Sequence, residues 1–218
     1  MHVNLSRTTK MPCASFPLPA AACHMGSIFA TREGSICANC YAKKGNYIFP
    51  NVIRTREENL AGVLALEHAG IRGKTEWAQA VSEAIRKAGS DYFRWHDSGD
   101  VQSLNHEFAI MMVARSCPLI KFYQPTKERS IVMEAYYARG LPPNLTIRLS
   151  APFIDCMLPE QELLPTNVVF TQARGTGSEL GYYCPATWTP RGHPHHGACL
   201  DCRACWDKRI RRIIYRKH

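Results

Sequence analysis

The sequence predicts a parallel α/β protein, an incomplete (β/α) barrel or an open sheet of βα units, with a cysteine-rich metal-binding loop at each end of the chain. Three observations lead there. Short apolar runs alternate with helical periodicity through the middle of the chain, as parallel βαβ units require. Polar residues recur at the carboxyl ends of those runs, and eight of the ten cysteines fall in the two terminal segments. With 45% hydrophobic residues in a chain of 218, one core can be buried, which favours a single domain over 1–218. Its expected parts are a cysteine-rich loop segment over 1–50, an α/β core over 51–180, and a cysteine cluster with a basic helix over 181–218.

Residues 1–50 carry punctuators, Pro12, Pro17, Pro19, Gly26, Gly34, Gly45 and Pro50, and little periodicity, so they read as a loop that something must organise. Leu60, Val63, Leu64 and Leu66 before Gly70, and Trp77, Val81, Ala84, Ile85 and Ala88 before Gly89, predict two helices. Strands are expected over 92–95, 119–123, 145–149 and 168–171. Helices are expected over 103–115, with Leu104, Phe108, Met111 and Met112 on one side, and over 130–139, closed by Gly140. The stretch between the last two strands is irregular apart from a helical pattern at 160–164. Ile210, Ile213 and Ile214 are spaced for one face of a basic C-terminal helix.

A parallel strand covered on both faces is almost wholly apolar, and these strands are not. Arg94 and His96 share a face, as do Arg148 and Ser150, while Gln124 and Gln172 lie at the carboxyl ends of two other strands. If the strands are neighbours, Arg94, Gln124, Lys127, Arg148 and Gln172 converge where α/β proteins place ligands, and suit a small anionic molecule. His96, Asp97 and Asp100 form a polar turn at a strand end. A histidine between carboxylates is held in one tautomer and can move a proton, which makes these three the candidate catalytic residues. The plain alternatives are that the arginines pair with structural acids and that Asp100 or Ser103 caps the next helix.

No apolar run is long enough to span a bilayer, and the opening residues 1–6 carry neither a basic nor an apolar leader. The expectation is a cytoplasmic protein with no membrane partner. Reducing compartments disfavour disulfides, so the cysteines point to metal. Cys199, Cys202 and Cys205 at successive CxxC spacing form one tight thiolate loop, and Cys184, followed by Pro185, completes a four-thiolate site. That pattern favours a [4Fe–4S] cluster over zinc. Cys37 and Cys40 form a lone CxxC, a less specific signal, and with Cys13 and Cys23 they outline a second site. The loose spacing leaves room for one of those four to be a spectator or to join the other group. Cys117 and Cys156 read as core packing. His193, His195 and His196 lie between Cys184 and Cys199 as surface residues or as nitrogen ligands to zinc.

CxxC followed by Tyr41-Ala42, the segment Phe93-Arg94-Trp95-His96-Asp97-Ser98-Gly99-Asp100, and the terminal Cys184-Pro185 and CxxCxxC-Trp206 elements resemble a bacteriophage family of unknown function, the gene-product-eighty-eight family. The resemblance covers most of the chain and implies a protein of the host cytoplasm. More distantly, the arrangement is similar to radical S-adenosylmethionine enzymes. In those, a cluster-binding cysteine loop precedes a partial barrel, and Ser98-Gly99-Asp100 stands where a carboxylate holds the amino group of the methionine moiety. The sequence departs from that pattern: the radical enzymes use CxxxCxxC, three thiolates with one open iron, and four ligating N-terminal cysteines would leave none open.

The expected function is thus an iron–sulfur protein with one or two clusters. It would be a redox or radical S-adenosylmethionine-like enzyme acting on a small anionic ligand and served by an electron donor. The alternative is a zinc-stabilised nucleic-acid or partner-binding protein. Lys208, Arg209, Arg211, Arg212, Arg216 and Lys217, less Asp207, supply +5 of the formal +9, a charge that could follow a phosphate backbone.

Overall fold

The computed structural model describes residues 3–174 and 180–217; Met1, His2, residues 175–179 of the expected core and His218 lie outside the described residues. The strands are β1 (Ser6–Arg7), β2 (Ala14–Phe16), β3 (Tyr92–Trp95), β4 (Lys121–Thr126), β5 (Leu145–Ser150), β6 (Thr166–Phe170), β7 (Tyr182–Tyr183) and β8 (Arg212–Arg216). They form one sheet in the order β1-β2-β3-β4-β5-β6-β8-β7, antiparallel only between β1 and β2. From β1 to β6 the order follows the chain without reversal, so successive right-handed crossovers lay their helices on one side. The sheet is open, with β1 and β7 at its edges.

The helices are α1 (His24–Ala30), α2 (Pro50–Leu64), α3 (Gly70–Lys87), α4 (Leu104–Ser116), α5 (Arg129–Arg139) and α6 (Pro185–Trp188). Pro50 opens α2, where its missing N–H costs nothing. Ser103 caps α4 by accepting the His106 N–H at 3.1 Å. Trp77, Val81 and Ile85 of α3, Ile110 of α4 and Val132 of α5 pack with Phe16, Phe93, Trp95, Phe122 and Ile147 of the sheet in one core.

The strands expected over 92–95, 145–149 and 168–171 lie at β3, β5 and β6, and the one expected from Leu119 begins two residues later, Leu119 being 90% exposed. Three expectations are corrected. The first fifty residues hold β1, β2 and α1 besides their turns, and 160–164 contain no helix. The basic C-terminal segment is strand β8, seated between β6 and β7. Ile213 and Ile214 are 1% and 0% exposed and pack into different clusters. Adjacent apolar residues buried on opposite faces mark a fully covered strand, and in so short a run they imitate a helical stripe. Three of the six charges of the tail are also engaged within the molecule. Arg212 donates to Leu180 O at 3.0 Å, Arg211 to the carbonyls of Glu162 and Leu163, and Arg209 to the Asp207 carboxylate at 2.7 Å. Cys117 is buried as expected, whereas Cys156 is exposed rather than packed in the core. Among the described residues no helix is long and apolar enough to cross a membrane.

On the face away from the helices, the register sets Ser15, Arg94, Tyr123 and Thr146 in one row. The C-terminal segment covers this inner face. The Trp206 indole donates to Phe93 O at 2.8 Å, and its ring lies 5.2 Å from Tyr92 and 5.8 Å from Tyr123.

Candidate metal centres and ligand site

The eight terminal cysteines divide differently from the expected four and four. Cys23 is the N-cap of α1, Cys37 lies in a 3-10 turn over Ile36–Asn39, and Cys40 closes that turn. A side-chain carbon at Gly26 would stand 2.7 Å from Cys23 Cβ, 3.5 Å from its Sγ and 3.8 Å from Cys37 Sγ, so only glycine leaves these two thiols their space. The group sits over the carboxyl ends of the strands. Ile36 N–H donates to Pro152 O after β5, and Met25 N–H donates to the Glu128 carboxylate after β4, at 3.0 and 2.8 Å. Burial pushes the Cys23 thiol up to about 12; Asp100 and the other two cysteines add to this, and Lys127 opposes it. Cys37 is raised as well, by burial first, again with Lys127 in opposition. Lys127 and Asp100 are thus near enough to act on these thiols electrostatically.

Cys13 does not. It stands just before β2, at the opposite end of that strand from Cys23, and packs with Met11, Tyr123, Cys205 and Trp206. The second group, Cys184, Cys199, Cys202 and Cys205, lines one narrow cleft with Tyr182 and Ile213. Its loop is held from the sheet. Arg148, 0% exposed, donates to the carbonyls of Cys205, Ile210, Ala204 and Asp207 at 3.0, 2.8, 3.1 and 2.7 Å. Thr146 donates to Trp206 O at 2.8 Å. Burial raises Cys199 to about 12 and Cys205 to about 11. Thiols held protonated in this way deprotonate only if a positive centre takes them. Among the described residues no three His, Cys, Asp or Glu side chains are drawn together as around a bound ion.

The remaining expected residues scatter. Arg148 is spent on four backbone carbonyls of the C-terminal segment. Gln124 lies on the helix face, opposite Arg94 and Arg148, where its amide donates to the buried Glu107 carboxylate at 2.6 Å. Gln172 is exposed beyond β6. His96 is not held between carboxylates. Its backbone bends at φ 56°, and its ring lies among Phe16, Trp95 and His106 with neither nitrogen partnered. Burial, with Arg94 second, drops its pKa to about 3, so it is a neutral core residue. The Asp97 carboxylate accepts from Ser6 at 3.0 Å and lies 3.7 Å from Arg56, while its carbonyl accepts from the Tyr41 hydroxyl, tying β1, α2 and the cysteine loop together. Asp100 accepts from Thr126 at 2.6 Å and from the backbone of Val101 and Lys127 at 2.8 Å each. That leaves it one lone pair at most, and burial raises its pKa to about 6. Gly99, at φ 79°, lets this loop touch the end of β2: a side chain there would meet Leu18 O at 2.9 Å. His195 lies 3.4 Å from Asp201, and His193 and His196 are exposed.

Sequence reasoning missed Glu128, which caps α1, and Tyr41, which bridges the cysteine loop to Asp97. The only local trace of the latter is its place directly after Cys40. A cavity of about 500 Å³ at the amino ends of β6 and β8, lined by Thr166, Tyr182, Arg211 and Arg212 among others, holds none of the expected catalytic, small-ligand or metal residues, though three arginines of the basic tail line it.

No curated protein and no solved structure matches the chain. A family profile described as gene product 88 matches residues 2–208, nearly the whole chain, and on that evidence the protein belongs to the gene product 88 family.

Proposed function

We propose that this is an iron–sulfur protein with two dissimilar thiolate centres. Cys23, Cys37 and Cys40 would hold one at the strand ends, with a coordination position left for a small ligand. Cys184, Cys199, Cys202 and Cys205 would hold the other on the inner face, where it ties down the covering segment and passes electrons. The observation that carries this reading is the grouping of the cysteines into three and four, with Cys13 set apart. The donor sets suit the chemistry: each is all-sulfur, partly buried and backed by positive side chains, Lys127 at the first and Arg148 at the second.

A cluster bound through three thiolates supplies an iron open to ligand binding and electron delivery. Around it the chain's own residues orient the ligand. Lys127 offers an ammonium to an anionic group, and Asp100, itself fixed by Thr126 and the Lys127 N–H, braces the strand-end loops and offers its last lone pair to an amine. S-adenosylmethionine, with both an amine and a carboxylate, is a ligand of that class.

One observation favours a second reading for the C-terminal group. The cleft between its four cysteines has a cavity volume of about 10 Å³, enough for one small ion or water, which suits one zinc ion better than a cubane cluster. Anaerobic purification followed by iron, acid-labile sulfide and zinc analysis decides between them. Two cubanes give about eight irons and eight sulfides per chain, and one cubane with one zinc gives about four of each and one zinc. Cys13→Ser should keep the full content, while Cys37→Ser and Cys202→Ser each lose one centre. Stoichiometric zinc without sulfide would overturn the iron–sulfur reading.

A further inference from the structure

The cavity of about 500 Å³ lies at the amino ends of β6 and β8, the end of the sheet opposite the Cys23 group. Arg212, which lines it, is 8% exposed, donates one hydrogen bond, to Leu180 O at 3.0 Å, and leaves its buried Nε without a partner. Arg211 donates to the carbonyls of Glu162 and Leu163. Among the described residues neither forms an ion pair, whereas Arg209 on the same wall is taken up by Asp207, and Glu162 by Arg129. An arginine cannot shed its charge by losing a proton, so two guanidinium groups line this space with no carboxylate paired to them.

Both groups are held in place. Gly181, at φ 131°, lets the chain lie against Arg212: a side chain there would meet Arg212 O at 2.8 Å and its Cβ at 2.9 Å. Thr166 N–H donates to Arg211 O at 2.8 Å, which fixes the backbone between the two arginines. A guanidinium oriented by backbone carbonyls keeps its other N–H donors for an anion, and a phosphate takes two of them side by side. The cavity offers more than a bare anion needs. Its volume suits a ligand of nucleotide size. Tyr182, 39% exposed, gives it an aromatic face, with the hydroxyl placed 3.5 Å from Cys202 Sγ. Glu160, exposed and in no ion pair among the described residues, also lines the space and can accept from sugar hydroxyls.

We propose that this cavity binds a nucleoside phosphate, with the phosphate on Arg211 and Arg212, the base against Tyr182 and the ribose hydroxyls toward Glu160. It is a second ligand site, separate from the strand-end site beside Cys23, Cys37 and Cys40, and it requires no metal at either cysteine group. A free nucleotide fits it better than a polymer. The tail's charges are divided between the two ends of β8, Arg212 at the cavity and Arg216 at 5.8 Å over the Trp188 ring, so the strand carries a pocket at one end rather than a continuous track.

Isothermal titration of the full-length protein with adenosine and guanosine 5′-monophosphates, the matching nucleosides and inorganic phosphate tests this. At least one monophosphate should bind about tenfold tighter than its nucleoside and than inorganic phosphate. Arg211→Ala, at an exposed position, should weaken that binding about tenfold while circular dichroism shows the fold retained. Arg212→Lys, which keeps the charge and loses the fork, should weaken it as well. Tyr182→Leu should weaken nucleotide binding and leave that of inorganic phosphate unchanged. Lys208→Ala, outside the cavity, controls for diffuse charge and should change nothing. Wild type binding none of these molecules, inorganic phosphate binding as tightly as the nucleotides, Arg211→Ala behaving as wild type, or an equal loss in Lys208→Ala would overturn the inference. So would a preference for single-stranded oligonucleotides that grows with their length, which would assign the tail to a polymer. Each of these outcomes leaves the reading of the cysteines where it stands, since that reading is decided by metal content.

Discussion

Glu107 and Gln124 meet across the helix-to-sheet boundary, with one oxygen of each left unpartnered in the core. Burial, and secondarily Asp100, lifts the Glu107 pKa to about 7 against the opposing hydrogen bond from Gln124. A carboxyl raised above its unfolded value contributes stability that is complete below the unfolded pKa and is lost as pH rises through about 7. Asp100, raised to about 6, has the same sign. Glu107→Gln should therefore stabilise the fold by about 1–3 kcal/mol at pH 8 and by little at pH 5; a thermal-midpoint shift of the same size at both pH values would refute this. Gly26 acts by its lack of a side chain. Gly26→Val should displace Cys23; if the proposed centres are present, it should strip the N-terminal one and leave the C-terminal one, as metal counts on the variant will show. The type of residue at each site was legible in the sequence. Its role was not, because Arg148 reads the same whether its guanidinium meets a ligand or four carbonyls.

Elements with their own caps and periodicity were the legible ones. β3, α4, α5 and β5 follow from local pattern, and Ser103→Ala should cost about 1 kcal/mol through the lost α4 cap, measurable by denaturant unfolding. β8 was misread because three isoleucines in five residues satisfy both a helical and a strand period. Its position decides the consequence of losing it. Truncation before Arg209 removes a strand paired on both sides, to β6 and β7. The shortened chain should fail to fold cooperatively, whereas a solvated basic helix would be lost with little change in circular dichroism.

In the whole molecule the two cysteine groups belong to different parts of the sheet, one at the strand ends and one on the inner face. If both hold metal, chelation should loosen them unequally. Hydrogen exchange after stripping should rise most over 184–210, which covers the inner face, and least in β3 to β5 and their helices, which share the main core. Uniform exposure would instead mean that the metals hold the entire fold. By itself the sequence determined the βα alternation, the family and the CxxCxxC group, because burial periodicity, motif residues and short spacings are written locally. Tertiary structure alone decided that Cys13 leaves the first group, that Gln124 turns to the helix side and that the tail is a strand. Each of these depends on strand order, register and which face or end a residue occupies. Period-two alternation separates the two faces without saying which one the helices will cover.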